Sequence, residues 1–136
     1  MPMVINFVYC DQVDVVEGKL TIGGPLNFIN PRFVPGMFSF TVAFGIVGLN
    51  TQQRNDLQLK FFDVNDDEIM STGILTIPEN ADIDPNLPME VRGFMANMEF
   101  KNVVFKSEGA YKTELYLNGE RLGQYPIIVK GVEGNE

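Results

Sequence analysis

The sequence predicts an all-β protein, a single Ig-like Greek-key β-sandwich of seven to eight antiparallel strands. Short runs with apolar residues at alternate positions are separated by Gly, Pro, Asn and Asp. The clearest run covers residues 38–46, where Phe, Val and Ile alternate with Ser, Thr and Ala. No segment carries an apolar stripe of helical period over ten residues. A length of 136 residues fits one domain, 1–136.

Eight strand-like runs follow one another along the chain. In order, they cover residues 3–10, 19–29, 38–46, 57–61, 69–77, 100–105, 111–117 and 120–130. A polar turn is expected over 11–18. Gly23-Gly24-Pro25 predicts a bulge, bend or edge, because proline has no N–H for a strand ladder. Gly73 interrupts the fifth run.

The connections between these runs are less regular. Residues 63–68 predict a turn and 78–88, with three prolines, a long loop. Residues 89–98 fit neither period, and a strand followed by a short helical turn is one interpretation. Residues 131–136 predict a frayed polar tail.

Two motifs near the end of the chain indicate the architecture. Asn118-Gly119 stands between two alternating runs and predicts a two-residue hairpin, because a type I′ turn needs positive φ at both central residues. Gly109 and Tyr111 precede the strand that leads into this hairpin, and they resemble the tyrosine corner of Greek-key sandwiches. The Cys and Trp pattern of antibody domains is absent from the sequence.

Several segments together resemble a known family. They are FVYCD (7–11), GKLTIGG (18–24), the run 38–46, GAY (109–111), LNGE (117–120) and QYPIIV (124–129). The chain resembles a family of small bacterial and phage-associated proteins, catalogued as a domain of unknown function. The resemblance implies a cytoplasmic β-sandwich, and it implies no activity and no functional residues.

Composition excludes several classes of function. A net charge of −8 argues against binding to nucleic acid or to an anionic membrane, since both attract basic surfaces. With no histidine and one cysteine, zinc sites of the Cys/His type and Ser-His-Asp triads are excluded. Cys10 ends an apolar run and is expected to be a buried, inert thiol. A cytoplasmic location is expected. No catalytic residues are predicted, because the acidic residues stand on turns and loops rather than in apolar pockets, where their pKa values would be raised.

One candidate site is a Ca²⁺ site, with carbohydrate binding by the same loops as a related possibility. The acidic loops 63–68 and 79–84 supply oxygen ligands at alternate positions, which suits Ca²⁺. The candidate ligands are Asp63, Asn65, Asp67, Asp82 and Asp84. The EF-hand pattern fails at its glycine and at its bidentate glutamate. The alternative is an ordinary turn in which Asp and Asn bond the local backbone.

The leading prediction is a non-catalytic interaction module, with a protein partner or a second copy in a homodimer. An open sandwich has edge strands that can pair with another chain. The candidate partner surface comprises Phe62, Met89, Phe94, Met95, Met98 and Tyr116. Ordinary core packing is the alternative for these residues. The segment 63–90 carries the whole charge of −8 without any Lys or Arg, which predicts an acidic strip where a cation or a basic protein would dock.

Overall fold

The fold is an all-β sandwich, as the sequence predicts. The computed structural model describes residues 2–79, 83–84 and 86–132. The described residues form ten strands and one 3-10 turn (Met89–Val91): β1 (Met3–Val16), β2 (Lys19–Pro25), β3 (Phe28–Ile29), β4 (Gly36–Val47), β5 (Asn55–Phe62), β6 (Glu68–Ser71), β7 (Leu75–Ile77), β8 (Gly93–Phe105), β9 (Gly109–Leu117) and β10 (Glu120–Val129).

The strands make two sheets with an Ig-like order. One sheet has the order β2-β1-β4-β8, and the other has the order β3-β10-β9-β5-β6, with β7 also paired to β5. β10, β9, β5 and β6 therefore take the places of strands G, F, C and C′, while β1, β4 and β8 take those of A, B and E. β6 and β7 pair with successive halves of β5, so they are one strand interrupted at Gly73.

Alternating side chains of the two inner faces form the core. Phe40, Phe44 and Ile46 of β4 are buried, as the period of two predicts. Phe40 lies 5.2 Å from the Phe100 ring and 5.3 Å from the Phe61 ring across the sandwich. Aromatic rings at these centroid distances pack edge-to-face or offset and supply much of the buried apolar area.

A hydroxyl pair crosses this apolar core. The Tyr9 hydroxyl in the first sheet donates to the backbone carbonyl of Tyr125 in the second sheet, at 2.6 Å. Because its single proton is used there, the Thr113 hydroxyl is the donor in the Tyr9–Thr113 bond, also 2.6 Å. Burial of Tyr9, opposed by the Thr113 hydrogen bonds, raises the pKa of its phenol well above the ordinary value, so it stays protonated.

Both end motifs adopt specific local geometries. The Tyr111 hydroxyl donates to the Ser107 carbonyl at 2.7 Å, which is the upstream backbone bond of a tyrosine corner. Asn118 and Gly119 have φ of 53° and 81°, the left-handed pair of a type I′ turn. The Asn118 carboxamide oxygen also accepts the Asp56 N–H at 2.8 Å and ties the hairpin to β5.

Three segments differ from the sequence-based expectation. The predicted polar turn 11–18 is wrong, because β1 continues through Val16 by pairing with β2, and the chain turns only at Glu17-Gly18. In 89–98 the helical turn precedes the strand instead of following it. In the predicted tail, the Val132 N–H donates to the Pro31 carbonyl at 2.9 Å, and residues 133–136 lie outside the described part of the chain.

Candidate functional site

The acidic turn 63–68 uses its carboxylates within the fold. Asp63 Oδ1 accepts the backbone N–H groups of Asn65 at 2.8 Å and of Asp67 at 3.0 Å, so this carboxylate caps its own turn. Asp66 pairs with the Lys112 ammonium of β9 at 3.2 Å, and Glu68 lies 3.6 Å from that of Lys60. Two lysines from neighbouring strands therefore offset part of the charge that the sequence segment carries.

The second acidic segment lies at the opposite end of the sandwich. Asp84 Oδ1 accepts the Asn86 N–H at 2.9 Å, again within a local turn. The Arg92 Nε–H donates to the Leu87 carbonyl at 2.7 Å, and the Arg92 carbonyl accepts the Leu49 N–H, which places this segment beside the end of β4. In the loop after Leu49, the Asn50 carbonyl accepts a hydrogen bond from the side chain of Asn55, the first residue of β5. The turn 63–68 instead follows Phe62, the last residue of β5.

This separation overturns the expected shared Ca²⁺ site. β5 has eight residues, so its ends stand about 23 Å apart, while Ca²⁺ needs oxygen ligands within ~2.6 Å. Asp63, Asn65 and Asp67 therefore cannot share an ion with Asp84, and Asp82 lies outside the described residues. No group of three or more His, Cys, Asp or Glu able to hold a metal occurs in the described ranges. The predicted acidic strip is likewise two separate patches.

The predicted methionine surface is also divided. Phe94 and Met98 point inward from β8 and pack against the core. Met95, on the opposite face of the strand, is 43% exposed, and Met89 on the 3-10 turn is 45% exposed. A strand alternates its side chains between two faces, so these residues do not form one partner surface.

Phe62 and Tyr116 lie on the outer face of the second sheet, each beside a lysine. The Lys112 ammonium is 5.6 Å from the centre of the Phe62 ring, and that of Lys60 is 5.1 Å from the Tyr116 ring. Both are cation–π distances. The lysines partly cover the rings that the sequence analysis assigned to a partner.

Between these rings lies a buried carboxylate that the sequence analysis missed. Glu114 is only 5% exposed, accepts a hydrogen bond from the Tyr116 hydroxyl, and lies 3.2 Å from Lys112 Nζ and 3.3 Å from the Arg121 guanidinium. Burial by itself would raise the pKa of Glu114, but these hydrogen bonds and positive charges outweigh it and hold the pKa below its usual value. A carboxylate held ionised by three partners is a poor proton donor, and it braces β9 against β10.

A hairpin of β1 and β2 extends past the part of β1 that pairs with β4, and we call it the arm (residues 11–24). β1 pairs with β4 from Met3 to Cys10, and beyond Cys10 its recorded pairing is with β2. Val13 stands opposite Ile22 and Val15 opposite Leu20, so these four side chains share one face of the arm. Val15 is 66% exposed, which shows that the sandwich leaves this face partly uncovered.

Where the arm leaves the sheet, a cleft opens between it and strands β4 and β8. This arm cleft has a volume of about 410 Å³. Its side chains include Asp11, Asp14, Ser39, Thr41, Glu99 and Lys101. The cleft was not predictable from the sequence, because the divergence of β1 from β4 appears only in the register of the two strands.

No helix among the described residues is long and apolar enough to cross a membrane.

Cys10 is a buried thiol. Its burial and the nearby negative charge of Asp11 raise its pKa, and a hydrogen bond from the Gln12 backbone opposes them only in part.

Comparisons with known proteins identify a family and a fold. A family model described as "Family of unknown function (DUF6941)" matches residues 6–130. No curated protein matches the sequence. A Pseudomonas fluorescens alkylpurine DNA glycosylase bound to abasic-site DNA is similar over 95% of this chain, with 9% identity and a TM-score of 0.52, and this chain spans 30% of that one.

Two further solved structures are similar at lower TM-scores. An immunoglobulin-like protein from Pseudomonas aeruginosa has a TM-score of 0.45 and 11% identity, covering 96% of this chain and 97% of that one. A bacterial adhesin from Mobiluncus mulieris has a TM-score of 0.49 and 11% identity, covering 96% and 57%. At such identities these likenesses concern the fold alone.

Proposed function

The chain belongs to DUF6941, a family of unknown function, and we propose that it is a non-catalytic interaction module that presents the arm to a protein partner. The observation that carries the proposal is the divergence of the arm: residues 12–16 of β1 pair with residues 19–23 of β2, beyond Cys10, where the pairing of β1 with β4 ends. The proposed location is the cytoplasm of a bacterium, with a phage or prophage as one source of the gene.

The arm has the physical properties of a surface that another chain can cover. A two-stranded ribbon is only marginally stable by itself. β2 is the edge strand of its sheet, so it directs backbone N–H and C=O groups outward, where a strand of another chain can pair with them. Covering Val15 and its neighbours would also bury apolar area. A second copy of this chain is one partner of this kind.

A non-catalytic role is supported by the chemistry of the acidic groups. Asp63 caps a turn, Asp66 pairs with Lys112, and the buried Glu114 is held ionised by its partners. General acid–base catalysis instead uses groups whose pKa lies near the working pH. The sequence contains no histidine that could act as the general acid or base.

The proposal is tested by removing the arm. Gln12 and Gly23 are register partners, so an Asn-Gly turn can replace residues 13–22 and close the shortened hairpin. The matched control, Glu17→Asn, places an Asn-Gly turn at the tip of the intact arm. Both variants are expected to fold, because the arm lies outside the core.

The measurements are sedimentation over a concentration series and affinity capture from a bacterial lysate. We expect a dimer or a captured protein that appears with the wild type and with Glu17→Asn and is lost without the arm. Identical sedimentation and capture by all three proteins would contradict the proposal.

A further inference from the structure

We propose that the arm cleft binds an extended segment of a protein partner that carries Lys or Arg side chains, and that this segment pairs with the open edge of β4. The inference rests on the proposed function, and it names both the site and the chemistry of the partner.

One edge of β4 is open at the start of the strand. This strand begins at Gly36, but its pairing with β1 begins at Thr41, where Cys10 is the partner. Over residues 36–40 its recorded pairing is with β8 on the other side. In an edge strand, alternate residues direct N–H and C=O groups outward, and Ser39 and Phe40 of this stretch line the cleft. Five residues of open edge, about 16 Å long, suit an extended segment of similar length.

The lining of the cleft is acidic. Asp11, Asp14 and Glu99 contribute three carboxylates, and Lys101, which lies 3.3 Å from Glu99, contributes one ammonium. The lining therefore carries a net charge of −2 within a protein of net charge −8. No ion pair of Asp11 or Asp14 is recorded with any described cation. A basic segment would supply the missing positive charges, and the field of the whole protein would attract it.

Side chains alternate between two faces along the strands that form the cleft walls. Phe40 points into the core, so Ser39 and Thr41 point to the outer face of the sheet, as does Glu99 beside the buried Phe100. Asp14 lies on the outer face of the arm, and Val13 lies on its inner face. A strand laid along β4 would thus meet Asp14 and Glu99 on one face, and Val13 together with Asp11 on the other. The segment that fits has basic residues alternating with valine or threonine.

The binding experiment uses the full chain and a fluorescein-labelled peptide of alternating lysine and valine, followed by fluorescence anisotropy at low salt. Two control peptides are matched to it: one replaces lysine by glutamate, and one keeps lysine but carries N-methyl groups at alternate residues. We expect saturable binding of the lysine–valine peptide alone. The glutamate peptide lacks the positive charge, and the N-methylated peptide lacks the backbone N–H groups that pair with a strand.

The site is tested with paired charge substitutions. Asp14→Asn with Glu99→Gln removes two charges from the cleft, and Asp67→Asn with Glu90→Gln removes two charges elsewhere. We expect the first pair to weaken binding about tenfold and the second to change it less than about twofold.

Three results would overturn the inference: no binding of the lysine peptide, equal weakening by both pairs, or equal binding of the N-methylated peptide. If one of them occurs while the arm-less variant still loses its partner or dimer, only the cleft assignment fails. If the arm-less variant instead keeps every partner of the wild type, the proposed function fails as well.

Discussion

The Tyr9 hydroxyl makes two hydrogen bonds to the second sheet, and their removal tests how much they stabilise the packing of the two sheets. Tyr9→Phe keeps the ring but leaves the Tyr125 carbonyl and the Thr113 hydroxyl without their partner in the core. A buried polar group left unpaired costs about 1–3 kcal/mol. With two such groups, we expect Tyr9→Phe to lower the free energy of unfolding by about 2–6 kcal/mol.

Thr113→Val separates the two bonds, because Tyr9 still donates to the Tyr125 carbonyl and only its bond from Thr113 is lost. We expect a loss of about 1 kcal/mol. In the double variant one unpaired group remains, the Tyr125 carbonyl. The double variant should therefore be less destabilised than the sum of the single variants, by about 1 kcal/mol or more.

The assay is urea unfolding followed by far-UV circular dichroism, with thermal melts in which 1 kcal/mol corresponds to roughly 3–5 °C. Tyr125→Phe is the control, since no hydrogen bond of its hydroxyl is recorded within the described part of the chain, and it should change little. A loss below about 0.5 kcal/mol for Tyr9→Phe, or strictly additive single and double variants, would refute the reasoning.

Four further outcomes are expected. Tyr111→Phe removes the bond to the Ser107 carbonyl and should lower the free energy of unfolding by about 1–2 kcal/mol in urea titrations. Because the folded pKa of Glu114 is depressed, its carboxylate stabilises the fold above the unfolded pKa of ~4.3, and that contribution is lost as the pH falls through the folded pKa. Urea unfolding should therefore show a steeper acid loss of stability for the wild type than for Glu114→Gln, and parallel curves would contradict this. Cys10 is buried with a raised pKa, so Ellman's reagent should react slowly with the native protein and rapidly in urea. Millimolar Ca²⁺ should leave the melting temperature unchanged, because the two acidic segments lie at opposite ends of the sandwich, and a rise of several degrees would contradict this.

The regular strands were predictable because burial on one face forces a period of two. In β4 every second residue from Phe40 to Ile46 meets the core, so its pattern is visible in the sequence. The arm was predictable only in part, because the run 19–29 indicated β2 but residues 11–16 were expected to form a turn. Its strands support each other without a core, so residues 11–16 combine polar and apolar types and resemble a turn. Gly93 begins β8 beside Ile46 and Val47 so closely that a side chain there would collide with their backbone.

The candidate sites were harder to predict because they depend on register. Glu114 is one acid in an alternating strand, and its contact with Arg121 arises from the pairing of β9 with β10. Likewise, the sequence places Asp63 and Asp84 about twenty residues apart without showing that the intervening strands carry them to opposite ends. Each of these contacts is set by strand pairing, which composition and spacing do not determine.

The free-standing arm also constrains how its length can change over evolution. The hairpin turns at Glu17-Gly18, and its strands pair with each other up to Val16 and Lys19. Insertion of one residue on each side of the tip would close the turn on the other type of antiparallel residue pair, whereas two residues on each side would restore the original hydrogen-bonding pattern at the turn. Relatives with longer or shorter arms should therefore differ by four residues or multiples of four, while the sandwich below keeps its length.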